Sequence, residues 1–97
     1  MKVLVLGAGL MGRAAVYDLA HNDRVEEVIV ADIDASAVEA VAARYGDRVK
    51  PLQIDARDRE QLRPAFREAD AVVSAVSYTV NLLHTEIAIE TGTHMCD

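Results

Sequence analysis

Cysteine is almost absent from this chain of 97 residues, which contains a single one, Cys96. One thiol excludes a disulfide within the chain and fits a reducing compartment. No basic cluster accompanies Cys96, so we interpret it as an inert thiol at the end of a buried strand. No apolar run approaches the ~20 residues of a membrane span, and the first residues lack the pattern of a secretory signal. The sequence therefore predicts a cytoplasmic protein without a membrane anchor.

Positive charge is also scarce. Ten Lys and Arg against 16 Asp and Glu give a formal net charge of −6, and the basic residues form no continuous run. Arg59, Arg63 and Arg67 share one face of a predicted helix. Because Glu60 and Glu68 accompany them, we interpret this face as solvated surface. Nucleic-acid binding depends on Lys and Arg that neutralise phosphates, so this composition argues against such a partner.

The motifs of metal sites and of serine hydrolases are missing. The three histidines and Cys96 lack the spacing of a zinc site, so no metal is predicted. We interpret His21 as a surface residue, His84 as a residue on one face of a helix and His94 as the start of a strand. No Gly-x-Ser-x-Gly elbow occurs, and no side chain stands out as a general base, so the sequence identifies no catalytic residue.

A Gly-x-Gly-x-x-Gly motif lies between a short apolar stretch and a helix-forming stretch. In a dinucleotide-binding fold, Gly7 would permit a tight turn, Gly9 would let the backbone approach a pyrophosphate, and Gly12 would let helix and strand pack closely. Leu10 and Met11 belong to the same predicted site, since the N–H groups that open a helix attract phosphate. The alternative is a glycine-rich turn that only closes an ordinary α/β unit.

Asp32 follows Gly12 by 20 residues and ends a second predicted strand. A carboxylate there would accept hydrogen bonds from the adenosine ribose and repel the 2′-phosphate of NADP. The next residue, Ile33, is part of the predicted site, and no basic residue follows closely, so NAD is predicted and NADP is less favoured. Asp55 and Ala56 follow the third predicted strand and would line the adenine pocket, although a plain loop acid is an equal alternative.

Ser74, Ala75 and Val76 follow the fourth predicted strand. Ligands of open α/β sheets lie across the carboxyl ends of the strands, so this segment would contact the nicotinamide half of the cofactor. The residues after it, including Tyr78 and Thr79, would equally serve as the start of a helix, with Thr79 as its N-cap.

Strands and helices alternate along the chain, which predicts a parallel sheet with helices on both faces. Right-handed crossovers give the strand order 3-2-1-4-5, a truncated, Rossmann-like doubly wound α/β fold of about five strands. The strands are predicted at residues 2–6, 27–31, 49–54, 71–75 and 94–97. The first and fourth helices are predicted at residues 10–21 and 79–91, and the second between Asp34 and Gly46. A third helix follows Asp58, its candidate N-cap, with Leu62 and Phe66 on the inner face.

Helix ends and prolines refine this prediction. Asp34 is the predicted N-cap of the second helix, Ser36 is the alternative start, and Gly46 ends the helix. Pro51 suits an edge strand. Pro64 is costly inside a helix, so we expect the third helix to be kinked or to begin near this proline.

The glycine motif and Asp32, together with residues 72–78 (Val-Val-Ser-Ala-Val-Ser-Tyr) and 91–97 (Thr-Gly-Thr-His-Met-Cys-Asp), resemble one known family. The whole chain is similar to the cofactor-binding N-terminal domain of the saccharopine dehydrogenase family, above all its lysine 6-dehydrogenase-like members. Ser77 departs from the pattern, because many relatives carry a proline there, and the local turn is expected to differ.

This resemblance implies NAD(P)-dependent oxidation at an amine carbon of a lysine-derived amino acid, with hydride transfer to the nicotinamide. It also implies a second domain, absent from residues 1–97, that binds the substrate and mediates homodimerisation. Residues 1–97 would then form one dinucleotide-binding domain without activity of its own.

A regulatory nucleotide-sensing module is the alternative function. The chain is also similar to the RCK domains that gate potassium transport, in the glycine loop, Asp32, the pair Asp55-Ala56 and Asn81. Such a module would bind NAD(H) or ATP without chemistry. A cofactor-free scaffold is the third alternative and requires a purely structural glycine loop.

Overall fold

A computed structural model describes residues 1–76 and 80–96 of the chain. In this part, five strands and four α-helices alternate along the sequence. The strands are β1 (Lys2–Leu6), β2 (Glu27–Asp32), β3 (Val49–Gln53), β4 (Ala71–Ser74) and β5 (His94–Cys96). The helices are α1 (Leu10–Ala20), α2 (Ala35–Ala42), α3 (Arg59–Glu68) and α4 (Asn81–Thr91). Among these residues no helix has the length and apolar character needed to cross a membrane.

All five strands are parallel, and their order across the sheet is β3-β2-β1-β4-β5. This confirms the predicted Rossmann-like, doubly wound α/β fold and its strand order. The last residue of β1, Leu6, lies opposite Ala31 of β2 and Ser74 of β4. The carboxyl ends of these three strands therefore lie side by side. Pro51 lies in the edge strand β3, as predicted.

The central strand β1 is apolar at successive positions because each of its faces is covered by a pair of helices. Val3 and Val5 pack in one hydrophobic core with residues of α1 and α2. Leu4 and Leu6 pack in a second core with residues of α3 and α4. All four side chains are at most 2% exposed. Full burial of such a side chain stabilises the fold by about 1.5–3 kcal/mol, so the two cores fix the position of β1 and of its carboxyl end.

The start of α2 is as predicted, but its end is not. The Asp34 side chain accepts a hydrogen bond from the Ala37 N–H at 3.2 Å, so Asp34 is the N-cap and the alternative start at Ser36 is wrong. The helix ends at Ala42, well before Gly46, because the N–H groups of Arg44 and Tyr45 bond three residues back, to the carbonyls of Val41 and Ala42. Gly46, with φ +68°, instead opens a 3-10 turn before β3.

Helix α3 begins at Arg59, which confirms Asp58 as its N-cap and shows that the alternative start near Pro64 is wrong. The Asp58 side chain accepts hydrogen bonds from the N–H groups of Glu60 and Gln61 at 3.0 and 3.4 Å, which fixes the start. Pro64 lies inside the helix, where its missing N–H leaves the Glu60 carbonyl without an intrahelical donor. Both residues are exposed, so water can replace that donor.

The basic face of α3 pairs with α4. Arg59 bonds to Glu86 at 2.8 Å, and Arg63 bonds to Glu90 at 3.1 Å and to Glu60 at 2.6 Å. The hydrogen bond from Arg63 lowers the pKa of Glu90. These arginines form ion pairs at the surface between two helices, in agreement with their interpretation as a solvated face.

Candidate dinucleotide-binding site

The turn that leaves β1 requires glycine at position 7. Gly7 has φ +108°, a conformation that side-chain-bearing residues rarely adopt. Its N–H donates to the Ala31 carbonyl at 2.7 Å, which ties the turn to β2. A Cβ atom at this position would lie 2.8 Å from the Ala75 carbonyl oxygen and 2.9 Å from Cγ1 of Val76. The glycine loop therefore lies directly against the segment that follows β4.

Glycine at position 12 is required by the packing of α1 on this turn. A Cβ atom at Gly12 would lie only 1.8 Å from the carbonyl oxygen of Gly7. The close approach of helix and turn, predicted from the sequence, is thus a feature of the structure. Gly7 and Gly12 are both explained by contacts within the protein itself.

Gly9 differs from the other two glycines of the motif. Its φ of −74° and ψ of −166° suit any residue, and a Cβ atom there would have no described protein atom within 4 Å. It is the N-cap of α1 and provides no side-chain bond to the helix. The first N–H groups of a helix have no intrahelical acceptor, so those of Leu10 and Met11 need another partner. Both side chains are exposed, which leaves this backbone open to a ligand.

Asp32 connects the end of β2 to the glycine loop. Its Oδ2 accepts the Ala8 N–H at 2.8 Å, and its Oδ1 accepts the Asp34 N–H at 3.1 Å. A carboxylate has about four acceptor sites, so about two remain for ribose hydroxyls. Ile33 beside it is 59% exposed. The bond to Ala8 could not be read from the sequence, since it depends on how close β1 and β2 bring the two loops.

The Asp55 carboxylate is used within its own loop. Its Oδ1 accepts the Arg57 N–H at 2.9 Å, and its backbone N–H donates to Gln61 at 3.0 Å. This arrangement supports the alternative interpretation of Asp55 as a turn-forming acid. The neighbouring Ala56 is linked to another part of the molecule, because its carbonyl accepts a hydrogen bond from His84 at 2.7 Å.

The segment after β4 is described as far as Val76. Ser74 is buried, and its hydroxyl lies 2.8 Å from Nδ1 of His84 rather than at a free surface. Ala75 and Val76 are the residues that lie against Gly7. The predictions for residues 77–79, including the N-cap role of Thr79, lie outside the described residues. Helix α4 begins at Asn81.

His84 lies on one face of a helix, as interpreted from the sequence, but its place beside the candidate site was not predicted. Its side chain is fully buried, and its ring lies 6.2 Å from that of Phe66. Burial lowers the pKa of this imidazole. The signal was present in the sequence, because His84 shares the buried face of α4 with Ile87 and Ala88 at helical spacing.

Cys96 is exposed, so its predicted location at the end of a buried strand is wrong. The reason is topological: β5 is an edge strand and has a neighbour on one side only. Over residues 1–76 and 80–96, no three His, Cys, Asp or Glu side chains form a group that could hold a metal ion.

The candidate site therefore has two parts: a continuous surface around the glycine loop, and the buried His84 ring with its partners Ser74 and Ala56. The glycine loop, Asp32, Ala75 and Val76 meet at the carboxyl ends of β1, β2 and β4, where ligands of this fold lie. The side chains of Asp55 and Ser74 are directed to internal hydrogen bonds.

Comparisons with known proteins agree with this architecture. The family model of the saccharopine dehydrogenase NADP binding domain matches residues 3–97. The structure of apo saccharopine dehydrogenase (L-Glu forming) from Saccharomyces cerevisiae superposes with a TM-score of 0.84 and 30% identity, over 97% of this chain and 20% of that one. Quinate dehydrogenase from Corynebacterium glutamicum, solved in complex with NAD, has a TM-score of 0.64 and 31% identity, over 77% of this chain and 26% of that one.

A curated relative is estradiol 17-beta-dehydrogenase 11 of Rattus norvegicus, which is 32% identical over 83 residues. That match covers 81% of this chain and 27% of the rat protein. The chain thus spans about a quarter or less of the length of these relatives. Since the family model covers nearly all of it, the chain belongs to the saccharopine dehydrogenase NADP-binding domain family and is a dinucleotide-binding domain of oxidoreductases of this type.

Proposed function

We propose that this chain binds NAD(H) as the cofactor domain of an oxidoreductase that acts on an amine carbon of a lysine-derived amino acid. NADP would be the weaker ligand. The observation that carries the proposal is that no contact in the described part of the protein requires a glycine at position 9. A pyrophosphate that approaches the backbone at this point needs that space and accepts the N–H groups of Leu10 and Met11.

The preference for NAD rests on Asp32. Two unit negative charges 4 Å apart repel by about 4 kcal/mol at the effective dielectric near a protein surface. The two backbone N–H groups that Asp32 accepts offset part of this repulsion for an incoming 2′-phosphate. We therefore expect a preference of about tenfold, equal to about 1.4 kcal/mol, rather than exclusion of NADP. The matching family model is named for NADP, whereas quinate dehydrogenase was solved with NAD, and a titration with both cofactors distinguishes the two.

The part of the reaction assigned to this chain is binding and orientation. The nicotinamide, when bound, supplies the hydride chemistry. The glycine loop would hold the pyrophosphate, Asp32 the adenosine ribose, and the segment Ala75–Val76 would border the nicotinamide half. A further domain would provide the amino-acid site, the catalytic residues and the homodimer contacts, consistent with the greater length of the relatives. The cytoplasmic location stays a prediction.

Isothermal titration of the chain with NAD⁺, NADH, NADP⁺ and ATP tests the proposal. We expect NAD⁺ or NADH to bind most tightly and NADP⁺ about tenfold more weakly. ATP as the tightest ligand would instead favour the nucleotide-sensing function. Absence of dinucleotide binding would contradict the proposed function.

Asp32→Ala tests the ribose assignment. Loss of a charge-assisted hydrogen bond should weaken NAD(H) binding by roughly 1–3 kcal/mol. Asp34→Ala is the matched control, because it removes an acid two residues away that caps α2 through Ala37. The control should lose stability but keep its affinity for NAD(H). Equal affinity of Asp32→Ala and the parent would show that Asp32 does not bind the ribose.

A further inference from the structure

A buried imidazole links two loops that no strand pairing connects. His84 lies in the first turns of α4 and its side chain is 0% exposed. One ring nitrogen, Nδ1, lies 2.8 Å from the Ser74 hydroxyl, and the other, Nε2, lies 2.7 Å from the Ala56 carbonyl oxygen. Ser74 ends β4, whereas Ala56 follows β3, and β2 and β1 lie between these two strands.

The chemistry of the two partners determines the proton positions on the ring. A carbonyl oxygen only accepts hydrogen bonds, so Nε2 must carry the proton that is donated to Ala56. Burial disfavours the charged imidazolium, so Nδ1 is unprotonated and accepts the Ser74 hydroxyl proton. His84 is then a neutral Nε2–H tautomer with both ring nitrogens satisfied.

We infer that His84 is a positioning residue, which holds the loop after β3 and the end of β4 at a fixed separation and thereby shapes the wall of the cofactor cleft. The inference rests on the proposed function for its effect on binding. Ser74 is followed directly by Ala75, which lies against Gly7. A single ring therefore couples the Ala56 loop to the segment that borders the glycine loop.

Filling of the core does not by itself explain a histidine here. The neighbouring buried positions of this core hold purely apolar side chains such as Leu62, Phe66 and Ile87. An apolar side chain at position 84 would leave the buried Ser74 hydroxyl and the Ala56 carbonyl without their partner, which is unfavourable for both groups. The polar ring is required by these two partners, and both lie at the carboxyl edge of the sheet.

Three substitutions separate the two contacts. In His84→Gln the side-chain amide nitrogen takes the place of Nε2 and can still donate to Ala56. In His84→Asn the amide reaches only the place of Nδ1, near Ser74. His84→Leu removes both contacts. Ile87→Ala is the control, because Ile87 is equally buried in α4 and makes no hydrogen bond to either loop.

Amide hydrogen exchange distinguishes the positioning of this loop by His84 from a general loss of stability. The Arg57 N–H, held by Asp55 in the Ala56 loop, should exchange at least tenfold faster in His84→Leu and His84→Asn than in the parent, and at nearly the parental rate in His84→Gln. Ile87→Ala, compared below its melting temperature, should leave this amide unchanged although it lowers global stability. If His84→Leu does not fold, His84→Asn and His84→Gln carry the comparison.

Binding of NAD⁺ to the same variants tests the functional half. We expect the dissociation constant to rise five- to twentyfold in His84→Asn and to return towards the parental value in His84→Gln. Nitrogen-15 chemical shifts should identify the Nε2–H tautomer in the parent. The opposite tautomer, or parental exchange at Arg57 in His84→Asn, would overturn the coupling even in a chain that binds NAD⁺. A parent without affinity for NAD⁺ would overturn the proposed function while the exchange data still decide whether the loops are coupled.

Discussion

Replacement of Gly9 should separate cofactor binding from stability. Its backbone, at φ −74° and ψ −166°, suits alanine or valine, and a Cβ atom would meet no described protein atom within 4 Å. We expect the free energy of unfolding of Gly9→Ala to change by less than about 1 kcal/mol. The reason is that alanine is a weaker N-cap than glycine but reduces the entropy of the unfolded chain.

The expected loss of binding follows from the place of this methyl group. It would occupy the space through which a phosphate oxygen reaches the first N–H groups of α1. Loss of one hydrogen bond to a charged group costs about 1.5–3 kcal/mol, which corresponds to a dissociation constant roughly 10- to 150-fold larger. Gly9→Val, with a larger side chain at the same point, should bind still more weakly.

Gly12→Ala is the contrasting variant. Its Cβ atom would lie 1.8 Å from the Gly7 carbonyl oxygen, so helix and turn must separate by about 1.2 Å to reach even the shortest tolerated contact of 3.0 Å. Overpacking of this kind costs about 1–3 kcal/mol. Gly12→Ala should therefore lose both stability and binding, whereas Gly9→Ala should lose binding alone.

Urea denaturation and isothermal titration with NAD⁺ on the three variants and the parent provide the measurements. Parental affinity in both Gly9→Ala and Gly9→Val would show that no ligand approaches this backbone. The proposed function would then lose the observation that carries it. A large loss of stability in Gly9→Ala would show that the fold itself needs the glycine.

Two further variants test the folded structure. Burial lowers the pKa of His84 from its ordinary value of about 6.5, so the folded state binds fewer protons than the unfolded state. The contribution of the neutral ring to the free energy of unfolding should therefore be fully present above about pH 7. Below that pH the free energy of unfolding should fall, by at most about 1.4 kcal/mol per pH unit. His84→Gln should show a flatter dependence in urea denaturation between pH 7.5 and 5, and equal slopes would contradict this origin. Pro64→Ala should raise the free energy of unfolding by about 1–2 kcal/mol, since the restored N–H can bond to the Glu60 carbonyl while the unfolded chain gains some entropy. A less stable Pro64→Ala would show that the proline fits α3 without cost.

The sheet could be predicted because its determinants are local. The apolar run of β1 and the alternation of strands and helices require a parallel sheet covered on both faces, and the handedness of the crossovers then gives the order. The caps Asp34 and Asp58 could be identified for the same reason. The end of α2 could not, since the chain tightens into i→i−3 bonds after Ala42 and Gly46 only marks the later turn.

The candidate site was predictable where it follows the backbone and not where it depends on tertiary contacts. The glycine loop and Asp32 lie where the motif requires them. The bonds of Asp55 are local to its own loop, in line with the alternative interpretation as a loop acid, whereas the bond of Ser74 to His84 depends on how β4 and α4 pack together. For His84, helical spacing predicts the buried face, but only the folded chain shows that the Ser74 hydroxyl and the Ala56 carbonyl lie on either side of the ring.

The three glycines of the motif look equivalent in the sequence, and the structure assigns a different cause to each. Gly7 needs its positive φ, and Gly12 needs to leave room for a carbonyl oxygen. At Gly9, helix capping is the remaining structural reason, yet Ser, Asn or Asp would cap α1 better through a side-chain bond that glycine cannot make. Such a side chain would take the same N–H groups that a phosphate would use. A position that is best for the ligand is thus suboptimal for the helix, which is the pattern expected where binding rather than folding determines the residue.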